Sequence, residues 1–152
     1  MGHEEERSFG FCVSFISRQA HRYFDQQFRL YEMNRGSLYI LRRLYLKDGV
    51  HLNTLGDSLH MDKANITRAI AKLLETGYIR KEQDIADSRA YLVYLTPKAW
   101  EFKARFDAIF MSWDEVITAG FSEDDKNILK LFLQKMCDNA HACLEKGITN
   151  AE

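Results

Sequence analysis

At 152 residues, with 46% hydrophobic and 28% charged residues and a net charge of −1, the chain has the make-up of one globular domain or two very small ones, which excludes a fibrous or wholly disordered protein. No apolar run approaches the ~20 residues of a membrane span, and the acidic start Met1-Gly2-His3-Glu4-Glu5-Glu6 is unlike a secretory signal, so a cytoplasmic protein without a membrane partner is expected. Three cysteines, Cys12, Cys137 and Cys143, are too few for a disulfide scaffold.

One proline and eight glycines supply too few turn residues for a sandwich or barrel, so the expected fold is mainly α. From residue 9 to about 31, apolar residues recur at steps of three and four through Phe9, Cys12, Val13, Phe15, Ile16, Ala20, Tyr23, Phe24 and Phe28. This spacing predicts the first helix. Gly36 and Ser37 open a second, with Leu38, Leu41, Leu44 and Tyr45 as its stripe and Gly49 as its left-handed stop. A third, about two turns long, places Leu52, Leu55 and Leu59 on one face. Asp62 caps a fourth whose buried face is Ile66, Ile70, Leu73 and Leu74, and Gly77 closes it.

The period then changes. Residues 78–82 and 91–96 are aromatic and β-branched and flank a polar stretch, which predicts a two-stranded hairpin with a long tip. Thr96-Pro97 starts a fifth helix carrying Trp100, Phe106, Ile109, Phe110, Trp113 and Ile117. Ser122 and Asp125 form a capping box for a sixth, which carries Ile128, Leu131, Phe132, Met136, Ala140 and Leu144.

A short helix, a capped second helix and a hairpin directly behind it are the layout of a winged helix-turn-helix, in which the second helix enters the DNA major groove. Charge is distributed to match: residues 61–100 hold seven basic and five acidic groups, whereas residues 101–152 hold six and ten. With Ile66 at zero and about 100° per residue, Ile70, Leu73 and Gly77 fall within about 40° of it, and Ala64, Asn65, Arg68, Ala71 and Lys72 fall on the far side. That face is small and basic, with an amide and a guanidinium near the helix N-terminus, the chemistry that reads base edges and phosphates. Glu75 shares the face a turn later, where it clears the DNA. Any surface helix carries Lys and Arg, so a merely solvated face is the alternative. Arg80, Lys81 and Arg89 on the adjoining hairpin weigh towards DNA.

Residues 55–56, 62–70 and 72–80, with Asp84, Asp87 and Arg89 before Leu95-Thr96, resemble the recognition helix and wing of the multiple antibiotic resistance regulator (MarR) family of transcription factors. The resemblance implies a mainly α winged helix-turn-helix with N- and C-terminal dimerisation helices, the hairpin lying between the fourth and fifth of six helices. It also implies a division into a DNA-binding region at 36–98 and one intertwined dimerisation region at 6–35 and 99–147. The implied DNA-binding residues are Lys63, Ala64, Asn65, Thr67, Arg68, Lys72, Arg80, Asp87 and Arg89, with Arg89 in the minor groove and held by an ion pair to Asp87. The chain departs from the family pattern at Ala86 and Ser88, where further cations are usual, which leaves Arg89 nearly alone at the tip. It departs again at residues 34–38, in the region that faces the effector cleft of relatives.

Phe9, Phe11, Phe15, Phe102, Phe106, Phe110 and Trp113 amount to more apolar surface than one small domain covers, so a homodimer is expected, as the resemblance also implies. Relatives bind small lipophilic anions, and Arg18, His21, Arg22 and Arg43 are the candidate ligands for such an effector. Each serves equally well as an exposed side chain. Relatives that sense organic hydroperoxides use a cysteine of the first helix; Cys12 is displaced by about two residues from it, and its apolar neighbours predict an inert, buried thiol. Cys137 and His141, four residues apart, read as a core pair rather than metal ligands, and His3, His51 and His60 make no triad. Neither metal, cofactor nor enzymatic activity is expected. The function expected is a DNA-binding repressor of a palindromic operator, released by a small aromatic or phenolic ligand; the alternative is a winged-helix module that binds protein.

Overall fold

A computed structural model of the chain describes residues 8–59 and 61–145, without the side chains of residues 57, 58, 144 and 145. His3, His60, the acidic start, the limits of the dimerisation region at residues 6–7 and 146–147, and the side chain of Leu144 lie outside the described residues. Packing divides the chain into two compact units, before and after the junction of Trp113 and Asp114.

In the first unit, α1 (Phe9–Phe28) is capped by Ser8, whose Oγ accepts from the Phe11 N–H. The helix ends earlier than its periodicity predicts. A 3-10 turn at Arg29–Tyr31 leads to Glu32 in the left-handed region at φ 55°, and the Glu32 and Met33 N–H groups bond back to the Arg29 and Phe28 carbonyls. This closure is of the kind glycine usually makes, so no residue type announced it. Asn34 rather than Gly36 begins α2 (Arg35–Leu46): its Oδ1 accepts from the Ser37 N–H at 2.9 Å and the Ser37 hydroxyl at 3.1 Å, which satisfies a fully buried serine.

Gly49 is left-handed, at φ 68°, but it does not stop α2, which ends on extended Lys47. It turns the chain into a strand absent from the sequence reading, β1 (Val50–His51). A two-residue strand is too short to display a period of two. β1 and β2 (Ile79–Gln83) pair antiparallel with either edge of β3 (Tyr91–Leu95), through Val50 opposite Val93 and Ile79 opposite Leu95. The wing therefore belongs to a three-stranded sheet rather than a bare hairpin. Asp48 reinforces the added edge, its Oδ1 accepting from the N–H groups of Gly49 and Leu95.

Between β1 and β2 lie α3 (Leu52–Leu59) and α4 (Lys63–Glu75), the latter capped by Asp62 and closed at Gly77, φ 74°. Thr96 donates its hydroxyl to the Gly77 carbonyl at 2.7 Å and accepts from the Ala99 N–H, so one side chain ties the end of α4 to the start of α5 (Pro97–Ile117). An aromatic cluster lies in a largely aliphatic core. Phe28 is 0% exposed and its ring lies 5.5–6.4 Å from those of Phe24, Tyr31, Phe102, Phe106 and Phe110. The aromatic surplus is consequently smaller than expected: Phe102 and Phe106 are buried in their own chain, and Phe110 and Trp113 pack on Phe24. Phe9, Phe11 and Phe15 remain exposed.

In the second unit, α6 (Glu123–Glu145) begins with the expected capping box, as Ser122 Oγ accepts from the Asp125 N–H and the Asp125 carboxylate accepts from the Ser122 N–H and hydroxyl. Those bonds hold the Asp125 carboxyl below the usual carboxylate range. Ile128, Leu131, Phe132, Leu133 and Met136 are exposed along this helix. The cysteines correct two expectations. Cys12 is exposed rather than buried, and Cys137 and His141 are both exposed rather than a core pair.

Candidate nucleic-acid interface

Ile66, Ala69, Ile70 and Leu73 anchor α4 in the core. Lys63, Ala64, Asn65, Thr67, Arg68 and Ala71 consequently lie on its exposed side, where the helical wheel puts Ala64, Asn65, Arg68 and Ala71; Leu74, expected on the buried face, is exposed, and Lys72 is half-buried. With 13 residues the helix is about 20 Å long, and its outer face is thin enough for a major groove about 12 Å wide. Small Ala64 and Ala71 leave the backbone open on this face.

The polar groups on this face are tied together. Asp62 Oδ1 accepts from the Asn65 N–H at 2.8 Å, Asp62 Oδ2 from the Asn65 side-chain amide, and Asn65 Oδ1 from an Arg68 guanidinium N–H at 2.5 Å. The Asn65 backbone N–H, aided by its amide and the Arg68 charge, holds the Asp62 carboxyl below its ordinary range. Thr67 is turned back, its hydroxyl donating to the Lys63 carbonyl at 2.8 Å. Lys72 is held between Glu75 at 3.3 Å and Glu32 at 3.7 Å, which also accounts for Glu75 on an otherwise basic face.

Two depressions flank α4. One, of about 840 Å³, runs between α3, α4 and β2, with Lys63, Thr67 and Lys81 around an apolar floor that includes Met61, Ile66 and Ile70. The other, of about 500 Å³, is lined by His21, Asn34, Arg35, Gly36, Tyr39, Met61, Asn65 and Arg68. Of the four residues expected to face an effector, this cleft gathers only His21; Arg18, Arg22 and Arg43 do not line it. Arg35 takes their place, 3.3 Å from His21 Nδ1 and 3.7 Å from Asp25. Its spacing of four from Tyr39 was the available signal, since it puts the two on one face of α2.

On the wing, Arg80 pairs closely with Glu82 and lies 4.6 Å over the Tyr94 ring, and Lys81 lies 3.8 Å over Tyr91. The tip is an ordered loop. Asp84 Oδ1 accepts from the Ala86 N–H at 2.8 Å, Gln83 donates to the Ser88 carbonyl, and His51 faces Asp84 at 3.4 Å. The expected ion pair between Asp87 and Arg89 is not formed. Asp87 Oδ1 instead accepts from the Arg89 backbone N–H at 2.9 Å, an Asx turn that shapes the loop, and Arg89 stays exposed.

The sequence profile of the MarR family matches residues 33–91, from the cap of α2 into β3. The fold matches as well. A MarR transcriptional regulator from Methanosarcina mazei Go1 superposes with a TM-score of 0.83 at 29% identity, covering 88% of this chain and 96% of that one. A MarR protein from Peptoclostridium difficile DA00132 gives 0.84 at 27% identity over 96% of each. Residues 33–91 carry a MarR-family domain, and the fold is that of the MarR regulators it superposes on.

A MarR-family chain is a transcriptional regulator that acts by binding DNA. Among curated relatives, the HTH-type transcriptional regulator BilQ of Clostridioides difficile (strain CD3) is 28% identical over 124 residues, covering 81% of this chain and 84% of its own. The MarR profile spans all of α3 and α4, both depressions' α4 walls and the wing tip. Among the described residues no helix is long and apolar enough to cross a membrane.

Proposed function

We propose that this regulator is a homodimeric repressor that reads a palindromic operator with Asn65 and Arg68 and is released by a small aromatic or phenolic anion. The observation that carries the reading is the outer face of α4, where an amide and a guanidinium stand exposed and linked beside small Ala64 and Ala71. Lys63 and the wing's Arg89 and Arg80 supply backbone contacts, with Lys72 and Thr67 at the edges and Asp87 shaping the wing. These phosphate contacts set affinity and salt dependence.

Dimerisation rests on unpartnered apolar surface within each unit. Along α1 the stripe is buried only at its C-terminal end, while Phe9, Phe11, Val13, Phe15 and Ile16 stay exposed; α6 exposes Leu131, at 72%, and Phe132, at 63%. Patches of this kind mark an interface. A twofold axis then presents two copies of α4 about 34 Å apart, one turn of DNA.

Release follows from the second cleft. An anion seated on His21 and Arg35 lies beside Arg68, so it competes for the guanidinium that the DNA needs. Its effect on DNA affinity equals its differential affinity for the free and DNA-bound states. Selecting bound fragments from random duplex tests the reading: the expected consensus is an inverted repeat with half-sites about 10 base pairs apart, and an asymmetric consensus or none contradicts it.

A further inference from the structure

We infer that Asp62, besides capping α4, is a positioning residue that fixes which way the Asn65 amide faces, and so sets the base that Asn65 reads. The inference rests on the reading of α4 as the base-contacting helix. Asp62 presents two oxygens to one residue, Oδ1 to the Asn65 backbone N–H and Oδ2 to the Asn65 side-chain NH2. On the other side, an Arg68 N–H reaches Asn65 Oδ1 at 2.5 Å.

The chemistry of the two neighbours allows one orientation. An ionised carboxylate only accepts hydrogen bonds and a guanidinium only donates them. A flipped amide would set oxygen against oxygen at Asp62 and N–H against N–H at Arg68, losing both bonds at once. The amide held between them keeps one N–H and one oxygen lone pair for the outside. That is the donor and acceptor pair that matches N7 and the N6 amino group of adenine in the major groove. An amide free to rotate would offer its donor and acceptor in either order. The arrangement also orients Arg68, whose remaining N–H groups are the ones left for a guanine or a phosphate.

Capping and orienting can be separated by substitution. Ser is as good an N-cap as Asp, but its hydroxyl is a single short group that serves the backbone N–H and does not reach the Asn65 amide. In Asp62→Asn the introduced amide keeps an oxygen for the cap and turns its NH2 towards Asn65. Asn65 must then present its oxygen to that group and its own NH2 to Arg68, which reverses the donor and acceptor order and expels the guanidinium.

The experiment selects binding sites from random duplex with the full chain and with Asn65→Ala, Asp62→Ser and Asp62→Asn, alongside a thermal melt of each. Asn65→Ala identifies the base pair that Asn65 reads. At that pair Asp62→Ser is expected to lose at least about fivefold of the preference, with preference intact elsewhere except at the pair Arg68 reads, and the melting midpoint held within about 2 °C. Asp62→Asn is expected to change the preferred base there. If both Asp62 variants keep the wild-type preference at that pair, or weaken all sequences equally, Asp62 is a cap alone and the inference is overturned. A separate failure is legible: if Asn65→Ala leaves every base preference unchanged, the base-contacting role of Asn65 falls, and the inference with it.

Discussion

Gly36 of α2 packs directly against Ala69 of α4, and replacing it with alanine tests how rigidly the core positions α4. A Cβ at residue 36 would lie 2.8 Å from Ala69 Cβ, 3.1 Å from Met61 Cε and 3.3 Å from Asn34 Oδ1, where ordinary contacts fall at 3.4–4 Å. The Met61 methyl can swing away. Ala69 has no side-chain torsion to relieve the contact and is 1% exposed, so the two helices must part by about 0.6–1.2 Å. Overpacking of this kind costs about 1–3 kcal/mol, offset by less than about 1 kcal/mol of helix propensity because residue 36 lies in the first turn. The net expectation is a loss of about 1–2 kcal/mol, a fall in melting midpoint of about 2–8 °C, with weaker DNA binding because α4 has moved. The assay is a double-mutant cycle in denaturant using Gly36→Ala, Ala69→Gly and both together. Since the pair removes the opposing methyl, it should be more stable than the sum of its parts by about 1–2 kcal/mol. Additivity within about 0.5 kcal/mol would refute the contact as the cause.

Other expectations follow from the same geometry. Arg89→Ala should weaken selected and random duplex about equally and lower the slope of log K against log salt by about one; an unchanged slope in fluorescence anisotropy contradicts a phosphate-tracking wing. Phe132→Asp should leave a monomer in analytical ultracentrifugation, and persistence of a dimer places the interface away from α6. Tyr45 donates to the Ala99 carbonyl at 2.6 Å, and burial, with lesser repulsion from Asp107, pushes its phenol upward from the ordinary value near 10. The folded state therefore holds that proton more tightly, so the contribution is complete below about pH 10 and lost as pH rises through and beyond it. Alkaline titration of stability should fall less steeply in Tyr45→Phe, and identical slopes would remove Tyr45 as the cause.

Much of this architecture could be read from one chain because helices with strong periodicity and distinctive caps dominate it. Asp62, Ser122 with Asp125, Thr96-Pro97 and Gly77 each do the local work their residue types indicate. The exposed face of α4 was legible for the same reason, since burial of Ile66, Ile70 and Leu73 fixes where Asn65 and Arg68 point. What was hidden depends on partners distant in sequence. β1 exists because Val50 and His51 find β3 some forty residues later. Glu32 closes α1 in a conformation that its residue type disfavours. Asp87 bonds a backbone N–H rather than the neighbouring cation, a choice between two local acceptor roles that charge pairing alone does not decide. Arg35 meets His21 through the packing of α1 against α2; its spacing from Tyr39 shows the shared face of α2 but not that meeting.

The central claim is that α4 reads sequence through its outer face, and Arg68 tests it most directly. Binding of the wild-type chain and Arg68→Ala should be compared by fluorescence anisotropy on the selected operator, on single-base variants of it and on random duplex, across a salt series. A loss of about 1–3 kcal/mol on the operator and relaxed preference at one base pair are expected, with random duplex much less affected. Equal loss on every sequence would make Arg68 a phosphate contact, and no loss at all would mean that DNA does not meet this face of the helix.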